Sequence, residues 1–339
     1  MSGRGLRAAV IGAVESSAVA ARRIAKSGVE LVGIAGHEPD TNTLISGAYN
    51  LRQLAEELEV DFIGFTRVND EEVVDKLRAW DIDFLFIVGL SQLVSSDVRA
   101  TARRGSVGYH PTALPRGRGR APVAWIVLGE APGASTLFEI AEHADSGGIL
   151  EQVAFQVTEE MDAADVLEKC LHTLAQAMDQ LLPKLERLEW SPVPQDDSLA
   201  TYLGKRDPGD GLINWNLDAE DIDALIRATA PPHPGAYVYC EGQVLRILNS
   251  SGVVNNSRAT GVIGKVVRKS EEGYEVQCGK GLLRIREVYD EAGKPVQLRE
   301  GSLLTSRVED DLHTLKRRVH ELEVMVSRLA SKTDNSTQA

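Results

Sequence analysis

The chain has 339 residues, of which 43% are hydrophobic and 26% charged, and its formal net charge is −13 at pH 7. That length allows two domains with cores of their own, and no apolar run comes near the ~20 residues that a membrane-spanning helix needs. The acidic balance disfavours binding of nucleic acid through a broad basic surface, while leaving room for a local basic patch. Three widely spaced cysteines (Cys170, Cys240 and Cys278) form no CxxC pair, which predicts reduced thiols in a cytoplasmic protein.

Residues 7–110 alternate between strand-like and helix-like segments. Apolar runs predict strands at 6–11, at 29–34, near Phe62, at 84–88 and at 106–109. Helical patterns lie between them, at 16–26, 50–58 and 70–80. The alternation is typical of an α/β fold with a Rossmann-like, mostly parallel sheet and helices on both faces. Ligands of such sheets bind at the carboxyl ends of the strands.

The loop after the first predicted strand reads GAVESSAVA, residues 12–20. It has no second and third glycine at the spacing of the dinucleotide-binding fingerprint, which disfavours an enzyme that depends on NAD. Glu15 also interrupts the apolar start of the chain, and this favours a first strand over a signal peptide.

The middle of the chain predicts a change of domain. A long amphipathic helix at 163–187 is followed by a linker, SPVPQDDS, at 191–198. A helix at about 219–229 then precedes short strands separated by glycine and asparagine, a pattern typical of a small antiparallel β-barrel. We predict a first domain over 1–190 and a small β-barrel-like domain over 200–305.

The C-terminal region carries a heptad signal. Leucine and valine recur at spacings of three and four residues, at Leu312, Leu315, Val319, Leu322, Val326 and Leu329. Valine at a with leucine at d favours a parallel two-stranded coiled coil. We predict a coiled-coil helix over 306–331, a homodimer formed through 312–329 and a disordered tail over 332–339. The alternative is an amphipathic helix that folds back on its own domain.

Two segments carry candidate chemistry. His110 lies where a predicted buried strand gives way to the loop PTALPRGRGRAP, whose prolines and glycines can hold one shape. Asp145 lies in the tight loop AEHADSGG, ahead of the predicted strand ILEQVAFQV. Side chains at adjacent strand ends can pair, and a carboxylate orients an imidazole and raises its basicity. Taken singly, each residue is more often structural, as a hydrogen-bonding histidine or a turn-forming aspartate.

The two segments together resemble the signature of the formyltetrahydrofolate-dependent formyltransferases. HPTALPRGRGRAP and HADSGGIL carry the resemblance, over about 80–155. RDPGDGLINWN and ALIRATAPPHPGAYVYCEGQ continue it more weakly into the second domain. Within the family, the RGRAP stretch is most similar to the sugar N-formyltransferase branch. The resemblance implies that the domain over 1–190 transfers a formyl group from 10-formyltetrahydrofolate, a co-substrate, to a primary amine.

The family has a catalytic asparagine, histidine and aspartate, which the resemblance places at Gly108, His110 and Asp145. Glycine lacks the amide that stabilises the developing oxyanion, a contribution of about 3 kcal/mol in comparable sites. Three interpretations stay open: a backbone N–H, water or another side chain such as Gln92 replaces the amide; the enzyme is slow; or catalysis has been lost. We favour the first, because glycine lets backbone or substrate approach closely and the other two residues are retained.

The resemblance also implies where the folate binds. The segment Gly89-Leu90-Ser91-Gln92-Leu93 follows the predicted strand FLFIV and matches the family's folate-binding loop. Its apolar side chains suit a pterin ring. The alternative is an ordinary strand-to-helix connection, with Ser95 or Ser96 as the helix cap.

Three arginines alternate with glycines in the same signature. Arg116, Arg118 and Arg120 predict a cationic rim for a phosphate or for the folate tail. Of this loop, Arg118 and Gly119 are assigned to folate binding, while solvated arginines are the alternative. His143 stands two residues before Asp145, but no metal-binding spacing occurs, so we predict no metal site.

The acceptor is predicted to be a small-molecule amine, an amino sugar on a nucleotide carrier, because of the RGRAP similarity and the acidic charge. Methionyl-tRNA formyltransferase is the enzymatic alternative. A hydrolase of the formyl-folate is another, since water can replace the amine. The non-enzymatic alternative is a folate-binding paralogue without catalysis, which Gly108 keeps open.

Overall fold

The computed structural model describes residues 4–39, 47–254 and 259–305, together with positions 312, 315, 316, 319, 322, 323 and 326. These residues form two compact units. The first runs as far as Asp207 and includes Pro231–His233; the second holds Pro208–Ala230 and the described residues from Pro234 onward. The segment 191–198, predicted as a linker, therefore belongs to the first unit. Within the described part of the chain, no helix has the length and apolarity that crossing a membrane requires.

A seven-stranded sheet forms the centre of the first unit. The unit's strands up to residue 154 are β1 (Arg7–Gly12), β2 (Glu30–His37), β3 (Asp61–Phe65), β4 (Phe84–Val88), β5 (Gly105–Thr112), the short β6 (Arg118–Gly119), β7 (Gly133–Glu139) and β8 (Ile149–Ala154). The sheet order is β3-β2-β1-β4-β5-β7-β8. Strands β1 to β5 run parallel, whereas β7 is antiparallel to β5 and to β8. The predicted α/β class with a mostly parallel sheet is confirmed.

Helices cover both faces of this sheet. They are α1 (Glu15–Ile24), α2 (Leu51–Glu57), α3 (Glu71–Ala79), α4 (Ser96–Arg99), α5 (Pro122–Val127) and α6 (Ala163–Glu186). Successive strand residues point to opposite faces. Ala8 and Val10 of β1 accordingly pack with α1, α2 and α6, while Ala9 and Ile11 pack with α3 and α4. The sheet thus has an apolar core on each side.

The sequence patterns predict neither α5 nor β7. Strand β7 reads GASTLFE, and its small and hydroxylated residues lack the alternation that identifies a strand, although six of its seven positions are buried. Strand β7 pairs with β5 from Val107 to Thr112. The antiparallel register places Gly133 opposite Thr112 and Glu139, the last residue of β7, opposite Val107.

An antiparallel sheet and helix α7 (Ala219–Thr229) form the core of the second unit. The short strand β9 (Tyr202–Leu203) still belongs to the first unit, where it pairs with β6. The second unit then holds α7, β10 (Ala236–Cys240), β11 (Gln243–Val253), β12 (Val266–Ser270), β13 (Gly273–Gln277) and β14 (Leu282–Asp290). The sheet order is β10-β11-β14-β13-β12. Residues 301–305 bond to both edge strands: Ser302 accepts from the Val266 N–H, and Thr305 donates to Tyr239. This segment closes the sheet in the barrel-like manner predicted.

The described positions of the C-terminal region are helical. Their five apolar side chains, which fall on the predicted heptad positions, are between 50% and 64% exposed: Leu312, Leu315, Val319, Leu322 and Val326. The remaining positions of the predicted coil, including Leu329, and the predicted tail over 332–339 lie outside the described residues.

Candidate active site

The end of β5 and the loop between β7 and β8 bring two reactive side chains together. His110, on β5, is only 6% exposed, and Asp145 lies in the loop between these strands. The distance from His110 Nδ1 to Asp145 Oδ2 is 3.7 Å. Asp145 has a φ of +54°, in the left-handed region that aspartate tolerates better than most residues. The structure therefore joins the two residues that the sequence singles out, while their catalytic roles stay a prediction.

The backbone of Gly117 and Gly119 contacts both members of this pair. His110 Nε2 lies 2.7 Å from the Gly117 carbonyl oxygen, and the Gly119 N–H donates to Asp145 Oδ2 over 2.9 Å. Their φ angles of +78° and +117° lie in a region that favours glycine. Because both ring nitrogens face oxygen acceptors, the imidazole can donate at both only when it is protonated. The arrangement suits a group that holds a proton and passes it on.

Arg118, between these glycines, is buried rather than on the rim. Only 2% of its surface is exposed, whereas Arg116 and Arg120 are exposed. Burial disfavours the charge of Arg118, but hydrogen bonds to neighbouring side chains outweigh it and keep its pKa above the usual range. The guanidinium donates to Gln195 (2.9 Å), Asp197 (2.7 Å) and Tyr202 (3.2 Å). The predicted cationic rim therefore consists of Arg116 and Arg120, and Arg118 holds the loop from within.

Neighbouring side chains occupy the space beside Gly108. A Cβ atom at this position would lie 2.5 Å from Ile140 Cδ1 and 2.7 Å from Phe138 Cζ. Phe138 is the β7 residue directly opposite Gly108. The expectation that substrate or backbone approaches closely at Gly108 is therefore wrong, because two apolar side chains fill that space.

The segment 89–93 follows β4 as predicted. Gly89 has a φ of +67°, and a Cβ there would lie 2.4 Å from Val14 Cγ2, so the turn needs glycine. Leu93 is 77% exposed, an unusual degree for a large apolar side chain in a turn. Ser95 caps α4 by accepting from the Val98 N–H, as the structural alternative expects. The loop thus offers apolar surface at the carboxyl edge of the sheet, which is compatible with the predicted folate role.

The amide of Gln92 is committed elsewhere. Its Nε2 donates to the Thr66 carbonyl oxygen over 2.8 Å and lies 3.1 Å from His37 Nε2. Its Oε1 accepts from the Val68 N–H over 2.9 Å. The suggestion that Gln92 replaces the missing asparagine amide is therefore not supported, because this amide links the loop to β2 and to the turn after β3.

Two glutamines near the site have no sequence signal. Gln152 on β8 donates to the Leu114 carbonyl oxygen and to Thr136 Oγ1, and so supports the loop that follows His110. Gln195 lies in the segment that the sequence presents as a linker. Only the tertiary fold shows that these amides reach the loops of the site.

Two family profiles match the chain. The profile described as "Formyl transferase" matches residues 24–182, and the one described as "Formyl transferase, C-terminal domain" matches residues 205–301. A curated relative, the methionyl-tRNA formyltransferase of Syntrophomonas wolfei subsp. wolfei, is 30% identical over 246 residues, which are 72% of this chain and 77% of the relative.

Solved structures share the fold at low identity. The N-formyltransferase from Helicobacter canadensis, in complex with folinic acid and dTDP-3-aminofucose, has a TM-score of 0.63 and 16% identity, over 84% of this chain and 100% of that one. HypX from Aquifex aeolicus, in complex with tetrahydrofolic acid, has a TM-score of 0.60 and 15% identity, over 87% of this chain and 46% of HypX. This chain spans about half the length of HypX. With both profiles matched along most of its length, the chain belongs to the formyltransferase family of enzymes.

Proposed function

We propose that this enzyme transfers the formyl group of 10-formyltetrahydrofolate to a primary amine, with His110 and Asp145 as the catalytic residues. The observation that carries the proposal is the 3.7 Å contact between His110 Nδ1 and Asp145 Oδ2, formed by the two family motifs. The loop over 89–93, where Leu93 is exposed, is the proposed folate-binding loop.

In the proposed reaction, the amine nitrogen attacks the formyl carbon, and the bond from that carbon to N10 of the folate breaks. One proton leaves the attacking nitrogen and one arrives at N10, so the reaction needs a proton carrier but no net acid or base. In this proposal, Asp145 accepts the proton from the amine, and a protonated His110 donates a proton to N10. Holding both reactants beside this pair removes the entropy cost of their encounter.

For the acceptor, we favour an amino sugar linked to a nucleotide. The complex of the Helicobacter canadensis enzyme with dTDP-3-aminofucose supports this choice. Exposed Arg116 and Arg120 offer charge for a diphosphate, and the net charge of −13 disfavours tRNA. The alternative acceptor is a charged tRNA, which the 30% identity to a methionyl-tRNA formyltransferase favours. A kcat/KM for methionyl-tRNA that is higher than the kcat/KM for every amino sugar would show that charged tRNA is the acceptor.

A panel of nucleotide-linked amino sugars with 10-formyltetrahydrofolate tests the proposal. We expect formyl transfer by the wild type, and a loss of kcat of roughly 10²–10³-fold in His110→Ala and in Asp145→Asn. His143→Ala is a matched control, because His143 is exposed and stands two residues from Asp145. Equal activity in all four proteins contradicts the roles given to His110 and Asp145. Folate binding without turnover of any acceptor supports the paralogue that has lost catalysis.

We further infer that two copies of the chain pair through residues 312–329. Five apolar heptad side chains lie at least half exposed on the helix, which is the surface that a second copy would cover. In a parallel, in-register pair, the g-position Asp311 would meet Lys316 of the partner subunit, and Arg318 would meet the partner's Glu323. Both pairings join opposite charges, and this favours the parallel arrangement.

We place the protein in the cytoplasm. Cys170 and Cys278 are buried and form no disulfide bond. Burial raises the pKa of Cys170 and of Cys278 to about 12 in each case, so neither thiol ionises at neutral pH. Unpaired, unreactive thiols are typical of a reducing compartment.

A further inference from the structure

The segment 193–203 forms a strap across both loops of the active site. Its first residue, Val193, exchanges two backbone hydrogen bonds with Ile149, of 2.7 and 2.8 Å. At its other end β9 pairs with β6, with Tyr202 opposite Arg118. One stretch of chain therefore pairs with β8, directly after the loop that carries Asp145, and with β6, directly after Gly117, which contacts His110.

Gln195 is the side chain by which the strap holds these two loops. Its Nε2 donates to the carbonyl oxygens of Asp145, over 2.8 Å, and of Gly147, over 2.6 Å. Its Oε1 accepts from Arg118 Nε and Nη2, over 3.2 and 2.9 Å. A primary amide has two N–H donors and one oxygen, so every polar atom of Gln195 is used between the two loops.

Arg118 passes this constraint to the reacting groups through its neighbours. The residue before it, Gly117, supplies the carbonyl oxygen at His110 Nε2, and the residue after it, Gly119, supplies the N–H at Asp145 Oδ2. A guanidinium fixed by several hydrogen bonds keeps this strand in one position, since its planar fork allows little rotation. Gln195 thereby controls Asp145 from two directions, through the carbonyl of Asp145 itself and through Gly119.

We infer that Gln195, acting with Arg118, is a positioning residue that sets the carboxylate of Asp145 against the imidazole of His110. The inference rests on the proposed function, because it takes His110 and Asp145, which these loops position, to be the catalytic residues. No sequence pattern marks the residue, which lies within the run SPVPQDDS.

Kinetics of Gln195 variants test this inference. Gln195→Glu keeps the shape of the side chain but loses its two N–H donors, and Gln195→Ala removes the amide group. Because small displacements of a reacting group cost up to about 100-fold, we expect kcat to fall roughly 10–100-fold in both. The KM for 10-formyltetrahydrofolate should stay within about threefold, since the proposed folate-binding loop at 89–93 is not touched. Arg118, which the sequence assigns to folate binding, is buried and bonded within the strap. Asp196→Ala is the matched control, because the Asp196 carboxylate accepts hydrogen bonds from Ser198 within the strap.

A double-mutant cycle of Gln195→Ala and Asp145→Asn distinguishes positioning of the Asp145 carboxylate from a general contribution to the stability of the fold. If Gln195 acts through the Asp145 carboxylate, then Gln195→Ala costs less than about twofold in an Asp145→Asn background. A loss that stays additive with that of Asp145→Asn overturns the inference. So does a kcat of Gln195→Ala equal to that of the wild type in the cycle.

Nitrogen chemical shifts of the His110 ring give a readout that needs no turnover. The chain has seven histidines, and His110→Ala identifies the resonance. We expect Gln195→Ala to move the ring shifts of His110 in the same direction as Asp145→Asn, while Asp196→Ala leaves them in place. Unchanged His110 shifts in a folded Gln195→Ala protein overturn the inference. An absence of transfer to every amine, with the shift changes present, counts against the proposed function alone.

Discussion

Glycine at position 108 has two consequences: it lacks the side-chain amide of the family asparagine, and the side chains of its neighbours occupy the space beside it. Ile140 and Phe138 fill the space that a side chain would need. In the proposed reaction, the oxyanion is therefore stabilised from elsewhere, and we propose a protonated His110 for this role. Restoring an amide here requires more than one substitution.

Gly108→Ala is expected to lower the free energy of unfolding by roughly 1–3 kcal/mol, because the new Cβ overlaps Ile140 Cδ1. Ile140→Ala removes that atom, so the cost of Gly108→Ala should shrink in the Ile140→Ala background. Urea denaturation of the four proteins measures this coupling. A Gly108→Ala protein that is as stable as the wild type would contradict the statement that Ile140 and Phe138 fill the space beside Gly108.

For single residues, the sequence predicts only those site residues that lie within the recognisable motifs. His110 and Asp145 stand in recognisable segments, and the structure brings them within 3.7 Å. Gln195 and the burial of Arg118 are not predictable, because both depend on a segment that returns to the site from 77 residues further along the chain. Composition makes that segment resemble a linker, and only its backbone pairing shows otherwise.

Elements with a strong local pattern match their predicted bounds. Strand β4 is an apolar run, and the structure has it at Phe84–Val88, the predicted residues. Helix α7, predicted at about 219–229, is amphipathic and is found at Ala219–Thr229. Strand β7 escapes prediction because its burial comes from the helix and strands around it, rather than from its own hydrophobic residues.

Strand β13 contains a buried carboxylate that ties the small barrel together. Glu275 is fully buried and accepts hydrogen bonds from Arg268, over 2.5 Å, and Arg284, over 2.9 Å. Burial raises the pKa of this carboxyl, but the two arginines outweigh burial and leave the pKa below its usual value. The charged form is therefore favoured in the folded state.

Glu275→Gln should lower the free energy of unfolding by roughly 1–3 kcal/mol near neutral pH. Since the folded-state pKa is lowered, the contribution of Glu275 is present above the unfolded value of about 4.3 and is lost as the pH falls through the folded value. Thermal unfolding from neutral pH to about pH 3 should show the two proteins converging in acid. Glu272→Gln, at a 66% exposed side chain, is the control and should differ little from the wild type. A difference that is independent of pH contradicts the assignment.

At the scale of the whole molecule, the described apolar side chains of the C-terminal helix are at least half exposed. Its apolar positions follow the heptad spacing, and the segment that closes the small barrel at 301–305 leads to them. A second copy of the chain is the occupant that the a, d, e and g positions favour.

Leu322→Lys is expected to convert the proposed dimer into a monomer, because it places a charge in the d layer of the proposed coil. Glu321→Lys is the matched control, since it introduces the same residue at the outward c position. Light scattering after size-exclusion chromatography measures the molar mass of each protein. A wild type that is monomeric at all concentrations favours the helix that folds back on its own domain.

The left-handed backbone of Asp145 restricts what can replace it. Asparagine and glycine adopt a φ of +54° at low cost, whereas alanine or glutamate would strain the turn as well as remove or displace the carboxylate. A descendant of this enzyme that abandons its chemistry is therefore expected to drift to Asn or Gly at this position. The loop between β7 and β8 would keep its shape in such a descendant after the activity has gone.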